Sequence, residues 1–226
     1  MLFGVNEGWA SVLGWSVPSF MTLIGLSWIA AVGLTGLQAR RRGFTWGLVM
    51  DCALAGLIVG LILARAEHVV LHWDSFSTSL GEITDLRAGG LAWRGALAGG
   101  LGGVWLMVKL RGGNARTFLD SAALAVPLMV FGGWWACEAN ACGYGAEVAN
   151  LADYPAAWVW EARGVYGMLA PRWRTQSIGM AAAVMIFAIV ALMIWRGWGR
   201  GWRLTWAVTL TVLAMTAIGF IRGDLP

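Results

Sequence analysis

The chain has 226 residues, of which 59% are apolar and 12% charged, with a net charge of +4 and a mean hydropathy of +0.68. A soluble domain carries about 25% charged residues, so most of this surface does not face water. The basic pI near 9.4 does not indicate nucleic acid, because the basic residues fall in short clusters between apolar runs rather than on one face.

Crossing a bilayer takes about 20 mostly apolar residues per helix, and about six segments qualify. The first starts near Val17, ends near Leu37, and is followed by Arg40, Arg41 and Arg42. The second is expected from Trp46 to Leu71, the third from Leu91 to Val108 and the fourth from Thr117 to Ala136. After a longer polar stretch come a fifth, Ile178 to Trp195, and a sixth, Leu204 to Ile221. The expected fold is therefore an all-α integral membrane protein forming one domain over residues 1–226, with residues 138–176 as a small extracytoplasmic head segment. The N-terminus lacks a positive region before its apolar stretch and is not read as a cleaved signal.

Orientation follows from charge asymmetry. Loops after the first, third and fifth segments carry Arg40–Arg42, then Lys109, Arg111 and Arg116, then Arg196, Arg200 and Arg203, with no acid among them. The other connections carry Asp74, Glu82, Asp85, Glu138, Glu147, Asp153 and Glu161. This alternation puts the basic loops in the cytoplasm and both termini outside. Trp158, Trp160, Trp173, Tyr154 and Tyr166 of the head segment suit the membrane interface, as do Trp46, Trp195, Trp198, Trp202 and Trp206 near segment ends.

Charges at membrane depth are the main functional leads, because an Arg at a helix centre costs at least ~2.5 kcal/mol. Arg65, Glu67 and His68 lie late in the second segment, Arg94 opens the third, and Glu138 follows the fourth. Arg65 and Arg94 would suit a phosphate, whose oxygens match the planar guanidinium fork. The structural alternative is an ion pair of Arg65 with Glu67 or Glu138, with Arg94 snorkelling to the interface. His68 and His72 share a helix face and are weak candidates for metal or tetrapyrrole ligation; no metal and no cofactor other than a bound phospholipid is expected. Asp51 and Asp120 are read as stabilising helix N-termini. Gly89, Gly90, Gly95, Gly99, Gly100, Gly102 and Gly103 crowd the third segment, for close helix packing or for room beside a lipid chain. Cys52, Cys137 and Cys142 are read as small apolar fillers, although Cys137 and Cys142 could pair.

Several stretches together resemble the phosphatidylglycerol–prolipoprotein diacylglyceryl transferases, bacterial membrane enzymes that move a diacylglyceryl group from phosphatidylglycerol to the lipobox cysteine of a prelipoprotein. Asp51-Cys-Ala-Leu through Leu63-Ala-Arg65 looks like the family's second helix, and His72-Trp-Asp-Ser-Phe76 like the loop after it. Gly89-Gly-Leu-Ala-Trp-Arg-Gly95 is similar to the Gly-Gly motif. Trp134-Trp-Ala-Cys-Glu-Ala-Asn-Ala-Cys-Gly-Tyr-Gly145 is similar to the signature stretch. Pro171-Arg-Trp-Arg-Thr-Gln176 and Phe220-Ile-Arg-Gly-Asp224 resemble two later motifs.

The resemblance implies lipid-binding roles for Arg65, Arg94, Gly95, Asn140, Gly145, Arg172, Gln176 and Arg222. It also implies losses. A tyrosine of the first helix falls on Phe20, the motif histidine on Arg94, and the phosphate-holding signature arginine on Trp134. The signature asparagine and glutamate fall on Cys137 and Cys142, and a late Tyr, Arg and Glu on Thr211, Met215 and Gly219. The family's seventh span is not matched. The expectation is a non-catalytic relative in the bacterial inner membrane, binding a phosphatidylglycerol-like lipid as a subunit of a larger complex, with no nucleic-acid partner. The alternatives are an active transferase using Arg94, Glu138 and Arg172 as candidate catalytic groups, and a pigment- or haem-binding subunit.

Overall fold

The computed structural model describes the backbone of residues 3–6, 9–12, 15–85, 90–163 and 168–223, and side chains from Ser19 onward within those ranges, Arg163 excepted. Gly89, Tyr166 and Asp224, named above, lie outside the described residues. The chain divides into two compact units, residues 36–121 and residues 1–35 with 122–226.

The first unit begins in the last turns of α1 (Ser19–Arg40) and holds α2 (Trp46–Leu71), α3 (Trp73–Phe76), α4 (Trp93–Leu110) and α5 (Ala115–Ser121). Thr45 starts α2 by accepting the Leu48 N–H at 3.3 Å, which satisfies one of the unpaired donors of the first turn. Its 26 residues extend about 39 Å, enough to cross a bilayer with some tilt.

α2 and α4 run antiparallel along a seam of glycines. A Cβ at Gly95, Gly99 or Gly103 would lie 2.3, 2.6 and 2.6 Å from the carbonyl oxygens of Leu63, Val59 and Ala55. Facing them, Gly56 and Gly60 of α2 lie against the carbonyls of Gly100 and Ala96. Each glycine costs ~1 kcal/mol of helix propensity relative to Ala. In lipid, where van der Waals contact drives association, the close approach offsets that cost. The space that the glycines left open for a lipid chain is thus filled by α2 along this face, while Gly102 faces open space.

Two expected helix-terminal acids are instead ion-pair partners. Asp51, a turn and a half into α2, pairs with Arg111, and buried Asp120, near the end of α5, lies 3.4 Å from Arg42. Arg42 also donates to the carbonyl of Thr117 at 2.8 Å. Neither carboxylate sits at a helix start, so charge pairing explains them better than the helix dipole.

In the second unit, three short antiparallel strands, β1 (Phe3–Asn6), β2 (Trp9–Val12) and β3 (Trp15–Pro18), lead into α1. α6 (Ala125–Ala139) packs on α7 (Thr175–Trp195) and α8 (Arg203–Gly219), and Gly132 of α6 admits Ser27 of α1. Between α6 and α7 lies an antiparallel hairpin, β4 (Val159–Arg163) with β5 (Leu169–Trp173), in which Trp160 faces Arg172.

α1, α2 and α7 are each long and apolar enough to cross a membrane, and α5 with α6 qualifies as a fourth, broken span. The expected fourth segment is therefore interrupted at residues 122–124. α4 and the 17-residue α8 fall where the third and sixth segments were expected, outside that measure. The protein is an all-α integral membrane protein with small β additions.

Candidate functional site

The C-terminal turn of α6 gathers most of the polar residues singled out in the sequence. Asn140 is the C-cap, Ala141 takes a left-handed conformation (φ 53°), and the Cys142 N–H returns to the Cys137 carbonyl at 3.0 Å. This six-residue return is a Schellman cap, a geometry that brings the side chains of its third-last helical residue and its second following residue together. Here those residues are Cys137 and Cys142, and they form a disulfide. They are not the apolar fillers expected. Their i, i+5 spacing at a helix end carried the signal. Left-handed alanine costs roughly 1–2 kcal/mol where glycine is usual, and the cross-link counters that cost.

The stapled turn then presents its carbonyls. Gln176 Nε2 donates to Cys142 at 2.9 Å, Thr175 Oγ1 to Gly143 at 2.5 Å, and Arg172 to Gly145 at 3.2 Å. Ser19 Oγ donates to Asn140 Oδ1 at 3.1 Å, and Asn140 Nδ2 to Ala136 at 2.8 Å. The Gly223 N–H reaches Tyr144, and the Ala146 N–H reaches Ile221, both at 2.9 Å. The fold thus brings Asn140, Gly145, Arg172, Gln176 and Arg222 to one place from three stretches of sequence.

Arg172 is buried, pairs with the Glu147 carboxylate, and lies over the Tyr144 ring at 5.1 Å. Its Nε has no acceptor among the described residues. Glu138, partly exposed, makes no ion pair among them. Trp134 is buried against Gly179 and Gly143, and the Arg222 guanidinium lies 5.8 Å from its ring. The indole N–H also lacks an acceptor among the described residues.

In the other unit, buried Arg65 donates to the carbonyls of Glu82, Ile83, Asp85 and Gly90 at 2.6, 2.9, 3.1 and 3.1 Å. Its guanidinium also lies 5.1 Å from the Phe76 ring. No Arg65–Glu67 pair forms, because the Glu67 carboxylate takes the Gly95 N–H that opens α4. Arg65 therefore holds the α2–α4 connection in shape. Arg94 is exposed, with its guanidinium 5.7 Å from the Trp93 ring. The rings of His68 and His72 lie 4.3 Å apart, and His72 Nδ1 is 3.0 Å from the His68 carbonyl. Among the described residues no group of three or more His, Cys, Asp or Glu side chains could hold a metal.

A family model for prolipoprotein diacylglyceryl transferase matches residues 9–225. The chain belongs to this family. It is 29% identical over 144 residues to a phosphatidylglycerol–prolipoprotein diacylglyceryl transferase of Clostridioides difficile (strain 630), covering 64% of this chain and 54% of that protein. It is 34% identical over 126 residues to the protein of the same name from Streptococcus pneumoniae (strain Hungary19A-6), covering 56% and 48%. The chain spans about half the length of the curated relatives it matches.

The positions that the sequence resemblance reads as replaced have definite surroundings. Trp134 fills a glycine-lined niche, Cys137 and Cys142 are cross-linked, and Thr211 is buried in α8 with its hydroxyl lacking an acceptor among the described residues.

Proposed function

We propose that this chain is a phospholipid-binding protein of the bacterial inner membrane that keeps the transferase framework without the transfer reaction, as a structural or lipid-binding subunit of a larger membrane complex. The observation that carries this reading is Trp134. The sequence resemblance puts the family's phosphate-holding arginine at this position, and Trp134 is packed too closely against Gly179 for a cation and its phosphate to share that niche.

The chemistry agrees. Transfer to a thiol needs a base or a lowered thiol pKa, together with cations on the departing glycerol phosphate. Losing one such group costs orders of magnitude in rate. Cys137 and Cys142, where the resemblance puts two further polar residues, are tied to each other and supply neither a base nor a hydrogen-bonding carboxylate. Arg172 and Arg222 remain as cations for a headgroup. An outward placement of the α6 end is supported by the disulfide, which persists in an oxidising compartment. The charge alternation of the loops supports a reading with both termini outside.

The test incubates purified protein with phosphatidylglycerol and a lipobox peptide. No lipidated peptide is expected at micromolar protein, while phosphatidylglycerol co-purifies with the chain and the chain co-purifies with a stoichiometric partner. Multiple turnovers would overturn the reading in favour of a transferase rebuilt around Arg94, Glu138 and Arg172.

A further inference from the structure

The turn between α7 and α8 is a second place where an anion can be held. From Arg196 to Trp202 the sign of φ alternates along the chain. Arg196 has φ −75°, Gly197 73°, Gly199 60°, Gly201 81° and Trp202 −126°. Trp198 and Arg200 take negative φ, since Ala141 is the one non-glycine with positive φ among the described residues. Alternation of right- and left-handed residues aims successive backbone N–H groups to one side, forming an anion-binding concavity.

Two of these N–H groups, of Gly199 and Arg200, have no acceptor among the described residues. The turn is held in place from behind. Buried Arg203 donates to the carbonyl of Trp198 at 2.9 Å and to that of Met193 at 3.5 Å. In front, exposed Arg196 lies against the rings of Trp195 and Trp198 at 5.1 and 5.7 Å. Exposed Arg200 folds back so that a terminal nitrogen lies 3.6 Å from where a Gly197 Cβ would stand. No acid lies between Arg196 and Arg203.

Four indoles flank the turn, with Trp195, Trp198, Trp202 and Trp206 between 53% and 77% exposed. Exposed tryptophans at the ends of two apolar helices belong at headgroup depth. We propose that this turn binds the phosphodiester of an anionic phospholipid, held by the Gly199 and Arg200 N–H groups and the Arg196 and Arg200 guanidiniums, with the indoles seated at the boundary between headgroups and acyl chains. The site does not depend on the transferase-like residues at the end of α6.

The test uses the full chain in detergent, with native mass spectrometry counting retained lipids at a fixed excess of phosphatidylglycerol, phosphatidylcholine or inorganic phosphate. Wild type is expected to carry one more phosphatidylglycerol than the Arg196→Gln, Arg200→Gln variant. The same count is expected to survive removal of equal charge elsewhere, in Arg40→Gln with Arg41→Gln. Equal counts in wild type and the Arg196, Arg200 variant would overturn the proposal, as would an equal loss in the control variant. So would retention of phosphatidylcholine in place of phosphatidylglycerol, or loss of the extra lipid to inorganic phosphate. If the double variant does not fold, Arg200→Gln alone replaces it, with the same count expected to drop.

Discussion

Cys137 and Cys142 occupy the two positions that a Schellman cap brings side by side, so the disulfide fastens a turn that the backbone hydrogen bond has already closed. The six residues in the closed loop correspond to about 2 kcal/mol in the chain-entropy account. Cys137→Ser with Cys142→Ser should lower the thermal midpoint in detergent by several degrees, and reductant should do the same to wild type. Maleimide labelling of the denatured chain should tag one thiol, Cys52, before reduction and three after. Three reactive thiols before reduction would contradict the cross-link.

The seam between α2 and α4 makes a paired prediction. Gly99→Ala places a methyl group 2.6 Å from the Val59 carbonyl oxygen and should destabilise the protein by roughly 2–3 kcal/mol, as overpacking does. Gly102→Ala meets nothing within 4 Å and should be neutral or stabilising by up to ~1 kcal/mol. Thermal midpoints of the two variants measured side by side would decide. A similar loss in both would mean that helix–helix approach is not what the glycines serve.

Arg65 should behave as a scaffold. Replacing it with Gln leaves several carbonyls of residues 82–90 without a donor, at a cost of about 3 kcal/mol or more. Lysine should not rescue it, because an ammonium has three donors in a different geometry. Limited proteolysis within residues 77–90 should accelerate in both variants. If Lys restored protection, positive charge rather than the donor fork would be the requirement.

Trp134→Arg tests whether the niche tolerates the cation expected at that position in active relatives. The new guanidinium would be buried between Gly143 and Gly179 beside that of Arg222, so like-charge repulsion and desolvation should both lower the midpoint. Peptide lipidation should stay at background. A stable variant that gained transfer activity would show that one residue separates this chain from a working enzyme.

The membrane class and the positions of the long helices are legible because apolar length is a strong signal, and α2, Trp46–Leu71, lies where the second span is expected. What periodicity misses depends on partners distant in sequence. Asp51 and Asp120 looked like dipole partners until Arg111 and Arg42 came beside them. The break at residues 122–124 has a local mark in Pro127, which has no N–H for the Ala123 carbonyl and whose ring crowds it, yet the apolar run continues through it unbroken. At the α6 end, the fold brings together Asn140, Gly145, Arg172, Gln176 and Arg222, which motif likeness named as lipid-binding candidates. That likeness did not show that Arg172 answers to Glu147 or that carbonyls of the turn, more than side chains, receive the donors.

The glycine seam also bears on how such a chain can change over generations. Every replacement at Gly95, Gly99 or Gly103 adds at least a Cβ, and α2 can yield to it only by shifting along several contacts at once. No series of small tolerated steps leads away from that arrangement. Positions such as Trp134 and Thr211 lie outside that shared seam, where a replacement disturbs one niche and leaves the helix pair alone. Substitution is therefore better tolerated at such single niches than along the seam, which makes the helix pair a fixed part of the framework.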